Sequence, residues 1–375
     1  MRFADIIGNR QVVKALSSMA DSGRVAHAML FYENDGCGAL ALALAYVQYL
    51  NCANPSGGDS CGECPSCRQM SKLIHPDVHF VFPVNKGPKT SDDKPTSESY
   101  LTYWRELAVS NPYFLESDLQ RALGIESRSG LIAVAEAKSI MTKLSLTSVA
   151  DGYKAVIFYL PEKMNQETAN RLLKMVEEPP EKTLFLFITH APEKVLQTIF
   201  SRCQSVRVLP LSREEVVGTL VEKLAISPKE AEAKAVLSGG SVGNAMSMIG
   251  DQEDYNRYMD LFSDLMNAVV SRNLAAALEC GEMMSSLDSR EKQKEFCTFA
   301  TDCIRKIFMT RQNLHNIAGI LPQEQEFYER VASKCSDGFC TKSVSNIEKV
   351  VSMIDRNVNS KILFCDLVNR MYLSV

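Results

Sequence analysis

Four cysteines fall in the stretch CANPSGGDSCGECPSC, at Cys52, Cys61, Cys64 and Cys67. Two successive CxxC steps put three thiols on one tight turn. Cys52, with eight residues between it and Cys61, can close a tetrahedron around a cation. Four thiolates leave no coordination position open, so the chemistry they predict is structural Zn²⁺ and not zinc catalysis. The competing reading is a pair of disulfides or free thiols. The opening residues MRFADIIGNR lack a signal peptide's apolar core and cleavage site, which favours a reducing cytoplasm and therefore zinc. A second candidate is the turn Glu33-Asn34-Asp35-Gly36-Cys37-Gly38-Ala39-Leu40. A working phosphate loop, GxxxxGK[ST], cradles phosphates on backbone N–H groups, pairs them with Lys and holds Mg²⁺ through a hydroxyl. Here Glu33 stands at the first glycine, Ala39 at the lysine and Leu40 at the hydroxyl, while Gly36 and Gly38 remain. A carboxylate at the mouth with no cation predicts a plain glycine turn, without useful affinity for a triphosphate. The third candidate is Arg202, in Ser201-Arg202-Cys203. Its planar, permanently charged fork suits a transferring phosphoryl group; the competing reading is an ordinary surface arginine.

The elements that must position these residues centre on Lys154 to Cys203. Ala155–Leu160 reads as a buried strand. A helix from about Asn165 to Glu178 follows, with Met164, Thr168, Leu172 and Val176 at four-residue spacing, and Glu178-Pro179-Pro180 stops it. Thr183–Thr189 is a second apolar run, which makes a parallel βαβ unit. Upstream, the periodicity predicts a helix ending near Ser22-Gly23, a strand at Ala28–Tyr32 and a helix to about Leu50. A strand is expected at Val78–Val84, preceded by His75 as a structural histidine at a turn. Residues 85–99 read as a mobile loop. Tyr100 to about Leu123 reads as a helix with Tyr103, Trp104 and Leu107 on one side. Ser127–Leu144 yields a helix beginning near Ile132, with Val134, Ala135, Ile140, Met141 and Leu144 apolar. A strand at Val206–Leu209 precedes a capping box at Ser212–Glu215, with helices near 213–224 and 228–237. From 254 to 375 the pattern is helical almost throughout.

LLKxxEEPP at Leu172–Pro180, a strand ending in Thr189 and then SRC resemble the clamp-loader branch of the AAA+ ATPases. Within that branch the similarity is to the delta prime type of bacterial DNA polymerase III. The resemblance implies an AAA+ (RecA-like) parallel α/β domain at 1–208 with an inserted zinc turn at about 52–67. It further implies a small helical lid at 209–250 and an all-α collar at 254–375 for oligomerisation. In the hydrolysing members the central strand ends in two acidic residues, whose places are held here by Tyr159 and Leu160. A lid arginine is replaced by Gly243, and Thr189 holds the place of a sensor residue. The SRC arginine of the family points into a neighbour's ATP site, so Arg202 is expected to act in trans, with Ser201 and Cys203 as its flank. The implied function is a non-hydrolysing subunit of the DNA polymerase III holoenzyme that binds no ATP itself. Its implied partners are gamma/tau-like ATPase subunits, a delta-like subunit, the sliding clamp and primed DNA.

Composition narrows the alternatives. The chain has 375 residues, 46% hydrophobic and 23% charged, values of an ordinary globular protein. A net charge of −4 argues against wrapping nucleic acid by bulk electrostatics. No apolar run has the length of a membrane span. An active motor subunit of the same complex is the main alternative, and Ala39, Leu40, Tyr159, Leu160 and Gly243 oppose it. A stand-alone zinc-dependent DNA-binding protein is weaker, because the cysteine turn lacks interleaved basic and aromatic residues. Arg171 and Lys174 would meet DNA phosphates inside an assembled ring, or else are solvated charges.

Overall fold

Short runs, dominated in all but the last strand by apolar, β-branched and aromatic residues, build one parallel sheet. In the computed structural model these are β1 (Ala28–Tyr32), β2 (Val78–Val81), β3 (Lys154–Tyr159), β4 (Thr183–Thr189) and β5 (Gln204–Arg207), ordered β2-β3-β4-β1-β5. The structure describes all residues except 127, 150, 151, 251, 315–317, 321–323 and 357, together with the side chains of 249, 250, 252–254 and 291. Every residue of β3 and β4 is buried, as continuous apolar runs must be in a sheet covered on both faces. Register aligns Tyr32 with Thr189 and Tyr159 with Ile188, so β1, β3 and β4 end side by side. The loops leaving that edge carry Glu33, Leu160 and His190. Ligands of open α/β sheets bind outside such carboxyl ends.

The helices of this half are α1 (Arg10–Asp21), α2 (Ala39–Leu50), α3 (Pro65–Ser71), α4 (Leu101–Ser110), α5 (Glu116–Leu123), α6 (Val134–Ser145), α7 (Gln166–Glu177), α8 (Gln197–Phe200) and α9 (Arg213–Leu224); α10 (Pro228–Leu237) and α11 (Val242–Gly250) follow, each divided between this half and the next. α2, ALALALAYVQYL, carries no charge and is buried on all sides. α7 starts on Asn165, whose side chain caps Thr168 N–H, and stops where Pro179 and Pro180 can supply no donor. Leu172 and Val176 face a core with Val156, Phe158, Phe185 and Phe187. The Ser212–Glu215 capping box forms as expected.

The chain divides into two compact units, Met1–Ala231 with Ser238–Ala245, and Glu232–Leu237 with Met246–Val375. The second is all-α and adds α12 (Gln252–Val270), α13 (Leu274–Ser285), α14 (Arg290–Arg311), α15 (Gln325–Ala332), α16 (Asp337–Asp355) and α17 (Ser360–Ser374). Phe262, Phe296, Tyr328, Phe339 and Phe364 lie in its core. A parallel α/β half and a helical C-terminal half are the fold class expected. Among the described residues no helix is long and apolar enough to cross a membrane.

Several expectations are corrected. Residues 85–99 are not a free loop: Ser97 is buried, its hydroxyl accepts Phe82 N–H at 3.0 Å, and it lies 2.8 Å from Glu136 Oε1. Glu136, on the buried side of α6, supplies an anchor with no local sequence signature. The helix expected over Tyr100–Leu123 is two helices, because Asn111 Oδ1 accepts Tyr113 N–H at 3.0 Å and turns the chain between them. On α6 the buried positions are Glu136, Ala137, Ile140 and Leu144, while Ala135 and Met141 are not buried. Ser127 lies outside the described residues. β2 ends at Val81, and Val84 instead bridges antiparallel to Leu131.

Candidate functional site

The loop leaving β1 retains the backbone of an anion-binding turn. Gly36 and Gly38 hold φ of +77° and +109°, which favours glycine, and α2 begins at Ala39 with its N–H groups facing the loop. The anion it holds belongs to the chain. Glu33 Oε2 accepts Ala39 N–H at 2.7 Å, while Glu33 N–H is tied to Thr189 O at 3.1 Å. His190, one residue beyond β4, places Nε2 3.7 Å from Glu33 Oε1 and Nδ1 3.4 Å from Asp35 Oδ1. Burial by itself would lower the His190 pKa, but the Glu33 and Asp35 carboxylates outweigh it and raise it to about 9. Burial lifts Asp35 to about 6, against the pull of His190.

Space above the loop is also taken. A Cβ built on Gly38 would lie 2.5 Å from the Tyr113 ring. Tyr113 itself is fixed by its hydroxyl, which accepts Ile7 N–H at 3.0 Å. Gly243 N–H donates to Gly36 O at 3.1 Å, and the Ser241 hydroxyl donates to Asp35 O at 2.7 Å. A Cβ on Gly243 would come within 2.3 Å of Tyr113 O, so the segment that would carry a lid arginine packs directly on the loop. Leu115 Cδ2 lies close to both Gly36 and Gly243. Where β3 would present acidic residues, Tyr159 is buried against Trp104, Phe114 and His190 at ring distances of 5.5, 5.3 and 5.5 Å. Leu160 follows in the left-handed region, buried. Thr189 is buried and its Oγ1 accepts Ala191 N–H at 3.1 Å.

The four cysteines meet as the spacing predicts. Their sulfur atoms all lie within 4.8 Å of one another. A tetrahedral zinc with Zn–S bonds of about 2.3 Å needs sulfurs roughly 3.8 Å apart; Cys61 Sγ and Cys67 Sγ are separated by 3.9 Å. Backbone N–H groups point at the sulfurs, from Cys61 to Cys52 Sγ at 3.2 Å and from Cys64 to Cys61 Sγ at 3.3 Å. Donors from Glu63 and Cys64 pull the Cys61 thiol down to about 6, while burial pushes Cys67 up. A cation is what would ionise all four, and the donor set fits Zn²⁺. His75 is not in the cluster: it is buried and its Nδ1 accepts Asp77 N–H at 3.2 Å.

This turn also pins the start of the chain. Asp59, between Cys52 and Cys61, accepts Phe3 N–H and Ala4 N–H, each at 2.9 Å. Phe3 packs on Tyr49 of α2. Metal removal should therefore loosen the segment that leads to Ile7 and Tyr113. Cys61→Ser is expected to abolish bound zinc, measured by elemental analysis. Its thermal midpoint is expected to fall by roughly 10 °C, about 3 kcal/mol for a unit of this size. A metal-free variant with an unchanged midpoint would contradict the structural role.

Arg202 stands just after α8 and away from the loop. Its guanidinium contacts Glu177 through Nε and Nη2, Thr198 O through Nη1 at 2.8 Å, and Ser201 Oγ at 3.3 Å. Arg171 and Lys174 are both exposed on α7, and Arg171 pairs with Glu167 at 2.9 Å. The structure thus brings Gly36, Gly38, Ala39, Glu33 and Gly243 together and leaves the cysteine cluster and Arg202 as separate sites. His190, Tyr113 and Leu115 were not singled out by sequence reasoning, and Glu177 entered it only as part of the EEPP motif, with no role of its own.

Residues 8–212 match the sequence model of a family described as DNA polymerase III, delta subunit. A protein named DNA polymerase III subunit delta' from Escherichia coli (strain K12) is 29% identical over 227 residues, 60% of this chain and 55% of that protein. A protein named DNA polymerase III subunit gamma/tau from Mycobacterium tuberculosis (strain ATCC 25618 / H37Rv) is 26% identical over 328 residues, 82% of this chain and 49% of that one. The chain thus spans about half the length of these curated relatives. A solved gamma subunit-related protein from Thermotoga maritima overlays with a TM-score of 0.38 at 16% identity, covering 96% of this chain and 99% of its own. Because the matched residues, 8–212, make up more than half of the chain, the protein belongs to the DNA polymerase III delta subunit family.

Proposed function

We propose that the protein is a non-hydrolysing clamp-loader subunit of the delta prime kind. It braces a ring of AAA+ subunits, offers Arg202 to a neighbour's ATP site and assists loading of the sliding clamp on primed DNA. The observation that supports this most strongly is the loop after β1, where Glu33 occupies the anion-binding N–H group of Ala39 and Tyr113 fills the space above Gly38. A triphosphate entering there would meet a carboxylate instead of a lysine. Zn²⁺ on Cys52, Cys61, Cys64 and Cys67 is structural in this reading. Residues 1–208 form the AAA+ domain, 209–250 the lid and 254–375 the collar, and the protein works in the cytoplasm. Its partners are gamma/tau-like and delta-like subunits. Arg171 and Lys174 lie on the exposed face of α7, where contacts to DNA phosphates would weaken with salt and not with sequence.

An ATP-hydrolysing motor subunit is the second reading, favoured by the alignment with gamma/tau over 82% of the chain. Ala39, Leu40, Tyr159, Leu160 and Gly243 remove the cation, the hydroxyl, both carboxylates and the lid arginine that such a motor uses. The test is clamp-dependent ATP hydrolysis by gamma/tau-like and delta-like subunits assembled with and without this chain. Stimulation when the chain joins supports the proposed role. Equal rates with the chain demonstrably bound would remove it.

A further inference from the structure

Arg202 is not held ready in solvent. Nε and Nη2 both face Oε1 of Glu177, and Nη1 is used by Thr198 O and the Ser201 hydroxyl. The Nε–Nη2 edge is one that grips a carboxylate or a phosphate in bidentate fashion, and here it is occupied. Glu177 is the last residue of α7, placed there because Pro179 and Pro180 end the helix. A carboxylate at a helix C-terminus is disfavoured by the helix dipole, so its position needs a cation. Arg202 supplies it, and through Thr198 O it also caps the end of α8.

We propose that Glu177 is a positioning residue that holds Arg202 docked on its own subunit and releases it to the triphosphate of a neighbouring site. The proposal rests on the trans-acting role of Arg202. The ion pair is accessible, with side chains 34% and 44% exposed, so it is weak enough to exchange. A terminal phosphate carries more charge than one carboxylate and presents several acceptor oxygens, so it displaces Glu177 when the neighbour is loaded. With the neighbour empty, the docked pair keeps the arginine out of the subunit interface. Docking lowers the fraction of Arg202 competent to engage, and apparent nucleotide affinity at the neighbour falls by that fraction.

The experiment measures steady-state ATP hydrolysis by the full reconstituted complex carrying wild type, Glu177→Gln, Glu177→Asp or Arg202→Ala. Glu177→Gln is expected to lower the KM for ATP about three- to fivefold at low salt, with kcat within about twofold. The difference should shrink as ionic strength rises, and Glu177→Asp should restore the wild-type KM. A KM that does not change, or a kcat that falls at constant KM, overturns the docking role. If Arg202→Ala lowers hydrolysis while Glu177→Gln does nothing, only the docking proposal fails. If Arg202→Ala is also without effect, the trans-acting reading fails with it.

Discussion

In a complex rebuilt with the proposed ATPase partners, Arg202→Ala is expected to lower hydrolysis at the neighbouring site that it is proposed to serve by roughly a thousandfold. The magnitude follows from what an arginine supplied in trans contributes to phosphoryl transfer, where catalysis is positioning and charge stabilisation more than covalent chemistry. Arg202→Lys should recover only part of the rate, because an ammonium keeps the charge and loses the planar fork. The isolated chain should fold normally with either change, since Arg202 meets Glu177, Thr198 and Ser201 at the protein surface and not in the core. Single-turnover hydrolysis with matched assembly, checked by gel filtration, reads the effect. A full rate in an intact Arg202→Ala complex would show that Arg202 serves no ATP site.

The second large effect concerns nucleotide binding, which the filled loop after β1 is expected to prevent. In a working phosphate loop, the N–H groups opening the helix wait for an anion. Here Glu33 supplies that anion from within, at 2.7 Å from Ala39 N, and His190 balances its charge. To admit ATP the chain would have to expel Glu33, swing Tyr113 off Gly38 and part Gly243 from Gly36, breaking bonds at 3.0 and 3.1 Å. It would receive neither a lysine contact nor a Mg²⁺ ligand in return. Restoring one element alone, as in Ala39→Lys, should place the new ammonium against Glu33 and leave nucleotide affinity absent.

Much of this was legible in local sequence. β4 and β1 were readable to the residue because buried central strands are continuous apolar runs bounded by polar residues. α7 was readable because Asn165 caps it and two prolines stop it. The cysteine cluster followed from spacing alone, since one turn carries three of its ligands. β5 was misplaced by two residues: Gln204–Arg207 is a mostly exposed edge strand, and its extent is set by pairing with β1 and not by an apolar pattern. The loss of phosphate-binding groups from the loop after β1 was visible in Glu33, Ala39 and Leu40. What fills it was not, because Tyr113 arrives from about eighty residues away and its position is set by Ile7. Glu177 stood in the EEPP motif, but its contact with Arg202 was invisible for the same reason. Its partner is twenty-five residues downstream, and their meeting depends on how α7 and α8 pack.

The most direct measurement is an equilibrium titration of the isolated, zinc-loaded chain with labelled ATP and Mg²⁺, paired with a hydrolysis assay of the same sample. The filled loop predicts no saturable binding at millimolar nucleotide and no turnover above buffer. Saturable binding with turnover would contradict it, and would make the chain a motor subunit.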